Sequence, residues 1–254
     1  MPRTALITGA SSGLGAEFAR QLAAQGADLV LVARDEAALH ELGGRLTAEH
    51  GIRHEVIVAD LADPAQTARV AQRLRNAERP VGILVNNAGF GLPLDFAGND
   101  IDDEVRHLTV HVEATLRLMH AALDAMLARG NGRIVNVASV AAFLPRGTYG
   151  AAKRWVLDVS RWANVAYRDR GVTVTAVCPG FTHTDFHARM GLAAGREGVP
   201  GPLWLDAPFV VSSALRDVAR GRAVSVPSVR YRLLTSLAGL LPDRILVAAG
   251  GTGR

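Results

Sequence analysis

The chain has 254 residues, of which 49% are hydrophobic and 20% are charged, so it can bury a full core and is not a disordered, collagen-like or coiled-coil chain. The net charge of +4 comes without zinc-finger spacing or interleaved basic and aromatic residues, and we expect no nucleic-acid partner. The single cysteine, Cys178, cannot form an internal disulfide. We find no signal peptide and no apolar stretch of spanning length, so we expect a cytoplasmic protein without a transmembrane segment.

Short apolar runs alternate with helix-length segments, a pattern that is typical of parallel β–α–β units. The predicted strands are 4–8, 28–33, 54–59, 83–86, 133–138, 172–178 and a short one near Val224. The clearest predicted helices are 102–129 and 148–168, and further helical patterns cover 16–25 and 207–221. We therefore predict an α/β fold: a single doubly wound domain over residues 1–254, with a parallel sheet of about seven strands and helices on both faces.

A glycine-rich loop follows the first predicted strand. It reads Thr-Gly-Ala-Ser-Ser-Gly-Leu-Gly over residues 8–15 and leads directly into a predicted helix. Glycines let the backbone turn and approach a pyrophosphate, which the N–H groups and dipole of the helix N-terminus attract. A plain turn would also use glycine, but the strand–loop–helix context favours a dinucleotide site. The residues expected to hold the phosphates are Gly9, Ser11, Ser12, Gly13, Leu14 and Gly15.

The tips of the second and third predicted strands bear on which dinucleotide binds. An acidic residue at the second tip would bind the ribose diol, whereas an arginine pairs with a 2′-phosphate. Arg34 stands there, so we predict NADP(H) over NAD(H), the alternative being that Arg34 is merely solvent-exposed. Asp35 is expected to cap the next helix in either case. Asp60 and Leu61 at the third tip could contact the adenine, or Asp60 could cap the helix that begins at Pro64.

Tyr149 and Lys153 open a predicted helix and carry the chemistry. They are four residues apart and share a helix face, and a nearby ammonium group lowers the pKa of a phenol toward neutral pH. Lys153 is the only lysine among 28 basic residues, which indicates that this position requires lysine rather than arginine. We predict that Tyr149 transfers a proton, that Lys153 activates it and that Ser139, after the fifth strand, holds a carbonyl oxygen.

These motifs, together with the segment 86–89 after the fourth strand, make the chain resemble the classical short-chain dehydrogenase/reductase family over residues 4 to about 227. The resemblance implies a Rossmann fold, interconversion of a small-molecule carbonyl and a secondary alcohol with NADP(H), and homodimers or homotetramers built on helices 102–129 and 148–168. It also implies that a second segment closes over the nicotinamide. The cofactor contacts that it adds are Asn87, Ala88, Gly89, Pro179, Gly180, Thr182 and Thr184, besides Tyr149 and Lys153.

Two features depart from the family pattern. Ser139 and Tyr149 are ten positions apart, a shorter interval than is usual, which reshapes one wall of the substrate pocket. His111 stands where the family usually has an asparagine of a proton relay; it is either tolerated in that role or an interior histidine without catalytic work. The alternative function is therefore a dinucleotide-binding regulatory protein that kept the fold and lost turnover. The eight histidines show no zinc-ligand spacing, so we expect no metal.

The last part of the chain is predicted to cover the site. Residues 182–208 mix large apolar side chains with glycine and proline, which favours a lid over an apolar substrate. The alternative is that these side chains only pack the loop onto the domain. Residues 228–254 form a predicted helical tail, in which an apolar pattern lies among arginines. Such a tail could make peripheral contact with a membrane surface or dock on the domain, and we favour docking.

Overall fold

The computed structural model describes residues 3–184, 200–238 and 241–251. Seven parallel strands form the main sheet: β1 (Thr4–Thr8), β2 (Asp28–Ala33), β3 (His54–Val58), β4 (Ile83–Asn86), β5 (Gly132–Val137), β6 (Val172–Val177) and β9 (Val224–Ser225). Their order across the sheet is β3-β2-β1-β4-β5-β6-β9. The predicted sheet is confirmed, although β3, β5 and β6 each end one residue before the predicted position.

Helices cover both faces of this sheet. They are α1 (Gly13–Ala24), α2 (Glu36–His50), α3 (Pro64–Arg75), α4 (Ile101–Leu108), α5 (Ala114–Arg129), α6 (Gly147–Tyr167) and α7 (Ala207–Ala219). Side chains alternate along each strand, so Ile7 of β1 belongs to an apolar cluster with residues of α1, α2 and α7, whereas Leu6 belongs to a cluster with residues of α3, α5 and α6. The two resulting apolar layers are the core, and the predicted doubly wound α/β fold is confirmed.

Two aspartates begin helices on the side of the sheet where the strands end. The Asp35 carboxylate accepts the backbone N–H of Ala38, as predicted for the cap of α2. The cap of α3 is Asp63, which accepts the backbone N–H groups of Ala65 and Gln66. The prediction that Asp60 could cap this helix is therefore wrong, because Asp60 lies one turn too early to reach its first N–H groups.

The predicted helix 102–129 is interrupted. A π-helical segment, Thr109–Glu113, separates α4 from α5, and it contains His111. A π-helical turn accommodates one extra residue per turn and rotates the side chains that follow it relative to those that precede it. The apolar spacing of the sequence gave no sign of this break.

The C-terminal region begins with a small second sheet. In it β7 (Thr182–His183) pairs in parallel with β8 (Leu205–Asp206), so the two ends of the predicted lid lie side by side. Phe186, Met190 and Leu192 of that lid lie outside the described residues.

The tail contains α8 (Val229–Ala238) and α9 (Asp243–Gly251). α8 docks on the domain through Tyr231 and Ala238, while six large apolar side chains of the tail beyond Arg230 stay exposed: Leu233, Leu234, Leu237, Leu241, Ile245 and Val247. Within the described ranges no helix combines the length and the apolar character that a membrane span requires.

Candidate active site

The predicted site residues lie at one edge of the main sheet, where its parallel strands end. The glycine loop follows β1, the segment 86–89 closes β4, Ser139 follows β5 and Pro179 follows β6. Because all these strands run in the same direction, their carboxyl ends open onto one crevice, which is where doubly wound sheets bind ligands.

The glycine loop is packed tightly against the end of β4. A Cβ atom on Gly9 would lie 2.9 Å from the Cα atom of Ala88, and one on Gly15 would lie 2.1 Å from the carbonyl oxygen of Gly9. Gly13 has a φ of +56°, a left-handed conformation that favours glycine, and it starts α1. Ser11, Ser12 and Leu14 are half-buried at the helix N-terminus. The loop therefore needs glycine at all three positions, because a side chain would collide at Gly9 and Gly15 and would be strained at Gly13.

Asn87 and Thr8 hold the loop in place. The Asn87 amide donates to the backbone oxygens of Thr8 at 3.0 Å and Gly9 at 3.2 Å. The Thr8 hydroxyl accepts the backbone N–H groups of Asn87 and Ala88, both at 3.0 Å. Asn87 was predicted as a cofactor contact, whereas the role of Thr8 was missed, because a threonine inside an apolar strand resembles any other strand residue.

The strand tips that bear on cofactor choice differ in their partners. Arg34 is exposed after β2 and forms no ion pair with any residue that the structure describes. Asp60 is paired with Arg106, whose Nη2 lies 2.6 Å from its Oδ2, and it also accepts the N–H of Ala62. Leu61 is buried. The predicted adenine contact by Asp60 and Leu61 stays a prediction, and the Asp60 carboxylate already has a cationic partner.

Lys153 joins Tyr149 to the end of β5, the strand that Ser139 follows. The Lys153 ammonium lies 5.8 Å from the centre of the Tyr149 ring and donates to the Val137 carbonyl oxygen at 2.8 Å. Burial lowers the pKa of Lys153 to about 8, against a smaller opposing effect of the Cys178 thiol. The Ser139 hydroxyl accepts the N–H of Ala141 at 3.1 Å and begins a short 3-10 turn, Val140–Phe143, which fills much of the short interval before α6.

His111 is buried beside this group. Its Nε2 lies 2.7 Å from the carbonyl oxygen of Phe90, and its ring centre lies 5.8 Å from that of Tyr149. Burial lowers the pKa of His111 well below its ordinary value, so its ring is neutral. The imidazole fills the space beside Gly89, where a Cβ atom would lie 2.4 Å from its Cε1.

The segment after β6 is held by a residue that the sequence did not single out. The Tyr231 hydroxyl of α8 donates to the carbonyl oxygen of Leu203 at 2.8 Å and accepts the N–H of Phe181 at 3.1 Å. Its ring packs so closely on Gly180 that a Cβ atom there would lie 2.0 Å from it. Tyr231 therefore clamps both ends of the predicted lid. Thr184 lies beside Gly13, since a Cβ atom on Gly13 would be 3.3 Å from the Thr184 Cβ atom.

The crevice fits a dinucleotide. The glycine loop offers a helix N-terminus with close backbone approach, Arg34 is an exposed cation at the neighbouring strand tip, and Thr184 lies across the loop. Anion-binding N–H groups, a guanidinium group and hydroxyls are the donor set that a phosphorylated nucleotide requires.

Comparison with known proteins agrees with this geometry. The family model described as short chain dehydrogenase matches residues 3–193. The oxidoreductase UcpA of Escherichia coli is 35% identical over 189 residues, which are 72% of this chain and 70% of that protein. A short-chain dehydrogenase from Sphingobium yanoikuyae, solved in complex with NADPH, superimposes with a TM-score of 0.85, 37% identity and 93% coverage of both chains. A bulky-bulky ketone specific alcohol dehydrogenase from Comamonas testosteroni gives a TM-score of 0.81 with 34% identity, covering 93% of this chain and 92% of that one.

The fold and the crevice thus define a nucleotide-binding oxidoreductase. The chain belongs to the short-chain dehydrogenase/reductase family, as the sequence resemblance implied.

Proposed function

We propose that the protein interconverts a carbonyl compound and a secondary alcohol with NADP(H), through Tyr149, Lys153 and Ser139. The observation that carries the proposal is the buried Lys153 ammonium beside the Tyr149 ring. A lysine is rarely buried without an opposite charge, and among the described residues the Lys153 ammonium donates a hydrogen bond to the neutral Val137 carbonyl. Its positive charge is therefore available to stabilise a phenolate.

Each residue has a distinct task in this scheme. A bound reduced nicotinamide supplies the hydride that the carbonyl carbon receives. Ser139 donates its hydroxyl proton in a hydrogen bond to the carbonyl oxygen, which fixes the substrate and stabilises the charge that develops there. Tyr149 transfers its phenolic proton to that oxygen, and Lys153 stabilises the phenolate that remains. In the oxidative direction the same phenolate takes the proton of the alcohol.

The choice of NADP(H) rests on Arg34. This guanidinium is exposed at the end of β2 and has no ion pair among the described residues, so it is available for a 2′-phosphate. Asp35, the next residue along the chain, uses its Oδ1 atom to cap α2. The Sphingobium relative, which is in complex with NADPH, supports the same choice.

The substrate class follows from the lid segment and one relative. The base of the lid carries aromatic residues, with the Trp204 ring stacked on His183 at 4.7 Å and tilted toward Phe181 at 5.7 Å. Such surroundings favour an apolar substrate. The Comamonas relative is specific for bulky-bulky ketones, and we infer that this protein also takes a ketone with two bulky apolar substituents.

Self-association is part of the proposal. Leu116 of α5 and both Trp162 and Val165 of α6 are large apolar residues that stay 45%, 59% and 80% exposed. Helix faces of this kind are covered in homo-oligomers, and we propose that a second copy covers them in a dimer or tetramer.

The cytoplasmic localisation also stays a prediction.

The test is NADPH oxidation by the purified protein with a panel of ketones and aldehydes graded by bulk and polarity. We expect turnover with bulky apolar ketones and little with small hydrophilic carbonyls. Binding of NADPH without oxidation by any member of the panel would favour the non-catalytic alternative. Activity confined to small polar aldehydes would contradict the proposed substrate class.

A further inference from the structure

Three titratable side chains that the scheme above does not use or explain lie behind Tyr149. Glu104 and His107 are on α4, and His111 follows in the π-helical segment. Their exposed fractions are 3%, 0% and 1%, so the three are buried together. We call them the Glu104–His107–His111 cluster.

Several polar atoms of this cluster have no hydrogen-bond partner. They are Oε2 of Glu104, both ring nitrogens of His107, and Nδ1 of His111. Buried polar atoms in folded proteins are almost always paired with protein groups or with ordered water. The protein contacts leave four such atoms unexplained within one cluster, and buried water satisfies atoms of this kind where it finds two to four polar partners.

The cluster reaches from the catalytic tyrosine to a partly exposed loop. The ring centres of His107 and His111 are 4.3 Å apart, and each lies within 6 Å of the Tyr149 ring centre, at 5.9 Å and 5.8 Å. At the other end the Glu104 carboxylate accepts the amide N–H of Asn99 at 2.8 Å. Asn99 is half-buried and follows an exposed stretch.

The protonation states suit a relay. Burial lowers the pKa of His107 to about 4, so its ring is neutral at working pH. A neutral imidazole has one N–H donor and one acceptor nitrogen, so it can take a proton on one side while it releases another. Burial raises the pKa of the Glu104 carboxyl, but the bonds from Asn99 and Thr148 outweigh this effect and keep the carboxylate ionised.

We propose that the Glu104–His107–His111 cluster holds ordered water behind Tyr149, and that His107 passes along it the proton that restores the tyrosine after each reduction. This inference rests on the proposed function of Tyr149. In the step itself the Tyr149 phenolate gains one proton from the adjacent water, and that water regains one from one ring nitrogen of His107. The other ring nitrogen takes one from the water on the Glu104 side, and that water regains its proton from solvent on the side of Asn99. Exchange of the ring proton between the two nitrogens through the same waters restores the first tautomer of His107 before the next turnover. The balance is one proton taken from solvent for each proton delivered to the substrate. Glu104 fixes the orientation of His107 through the intervening water, as carboxylates do for histidines elsewhere.

A metal site does not explain the cluster. In the part of the chain that the structure describes, no group of three or more histidine, cysteine or acidic residues is arranged to hold an ion. Apolar packing alone would not explain it either, because a phenylalanine at position 107 would make the same ring contacts with Phe90 and Tyr149 without burying two unpaired nitrogens.

The decisive variant is His107→Phe, which keeps the ring and removes both nitrogens. We expect kcat to fall about 10- to 100-fold, the range of a general acid–base contribution, with unchanged KM for the ketone and unchanged NADPH affinity. The solvent isotope effect on kcat should rise, because proton delivery becomes slower than hydride transfer. Imidazole added to His107→Ala should restore part of kcat. The matched control is His40→Phe, a histidine with a 60% exposed side chain in α2, which should change none of these quantities.

Glu104→Gln is the second variant, and it tests the proton relay if His107→Phe does not fold. We expect the same fall in kcat and rise in solvent isotope effect. Wild-type kcat in the folded variants, or a lower kcat with an unchanged solvent isotope effect and no rescue by imidazole, would overturn the relay.

A measurement on the resting protein separates this inference from the proposed function. The ¹⁵N chemical shifts of His107 report whether each ring nitrogen is hydrogen-bonded, whatever the enzyme turns over. We expect both nitrogens to be hydrogen-bonded, and two unbonded nitrogens would refute the water site. If Tyr149→Phe stays active, the proposed function fails; if only the His107 and Glu104 variants stay active, the relay alone fails.

Discussion

Replacing Lys153 with methionine should make the protein more stable and inactive. The pKa of Lys153 is about 8 in place of its ordinary 10.5 because the amine is buried. This difference corresponds to about 3 kcal/mol by which the folded protein disfavours the charged form. Loss of the hydrogen bond to the Val137 carbonyl offsets about 1 kcal/mol of that. Methionine is flexible and of similar length, so we expect Lys153→Met to raise the free energy of unfolding at pH 7 by about 2 kcal/mol.

The stability gain of Lys153→Met over the wild-type protein should shrink as the pH rises. Below pH 8 the amine of Lys153 is protonated in both the folded and the unfolded chain, so folding of the wild-type protein includes the full free-energy cost of burying the charged amine. Between pH 8 and 10.5 the folded chain loses the proton first, so wild-type stability rises relative to that of Lys153→Met and the difference closes.

The assay is thermal unfolding of both proteins without cofactor, because bound NADPH would stabilise each to a different extent. About 2 kcal/mol corresponds to an increase in Tm of about 4–8 °C for a chain of this size at pH 7. The control is Arg161→Met, on the same helix with a side chain 62% exposed, which should show no pH-dependent difference. A Lys153→Met variant that is less stable at pH 7, or a difference that is the same at pH 7 and pH 10, would refute the reasoning.

Three further predictions concern the cofactor, the assembly and the lid. Arg34→Asp should lower the ratio of kcat/KM for NADPH over NADH by about 10- to 100-fold, since it removes a charge-assisted bond to phosphate, and an unmoved ratio would assign the phosphate to another residue. Wild-type protein should sediment as a dimer or tetramer and Val165→Glu should dissociate it, whereas a 26.9 kDa wild-type monomer at micromolar concentration would contradict the proposed interface. Limited proteolysis should cut within 184–208 and be slowed by NADPH with a bulky ketone; equal cutting with and without these ligands would argue against a lid.

The parts of the fold that the sequence predicted well are those with local signals. Buried parallel strands are apolar along their whole length, so β1 and β2 were placed at their observed bounds. The glycine loop was predicted from its position between a strand and a helix, and the packing of Gly9 and Gly15 supplies its physical reason. The spacing of Tyr149 and Lys153 depends on helix geometry alone and could be read without any tertiary contact.

The features that were missed depend on distant contacts or on burial that the pattern conceals. Tyr231 bonds to Phe181, 50 positions earlier, and nothing in its own sequence neighbourhood marks that contact. Glu104 and His107 stand among charged residues of α4, so they resembled part of its solvated face, although both are buried. The π-helical segment inserts one residue in a turn without disturbing the apolar spacing on either side.

The central claim is that Tyr149 carries the proton, and Tyr149→Phe tests it most directly. The measurement is turnover of a bulky ketone by this variant, together with its NADPH affinity by fluorescence titration. Phenylalanine keeps the ring contact with His111 and removes only the hydroxyl. We predict a loss of kcat of at least about 10²- to 10⁴-fold with NADPH affinity within about twofold of wild type, as for removal of a general acid. A variant that binds NADPH and retains most of its turnover would contradict the account.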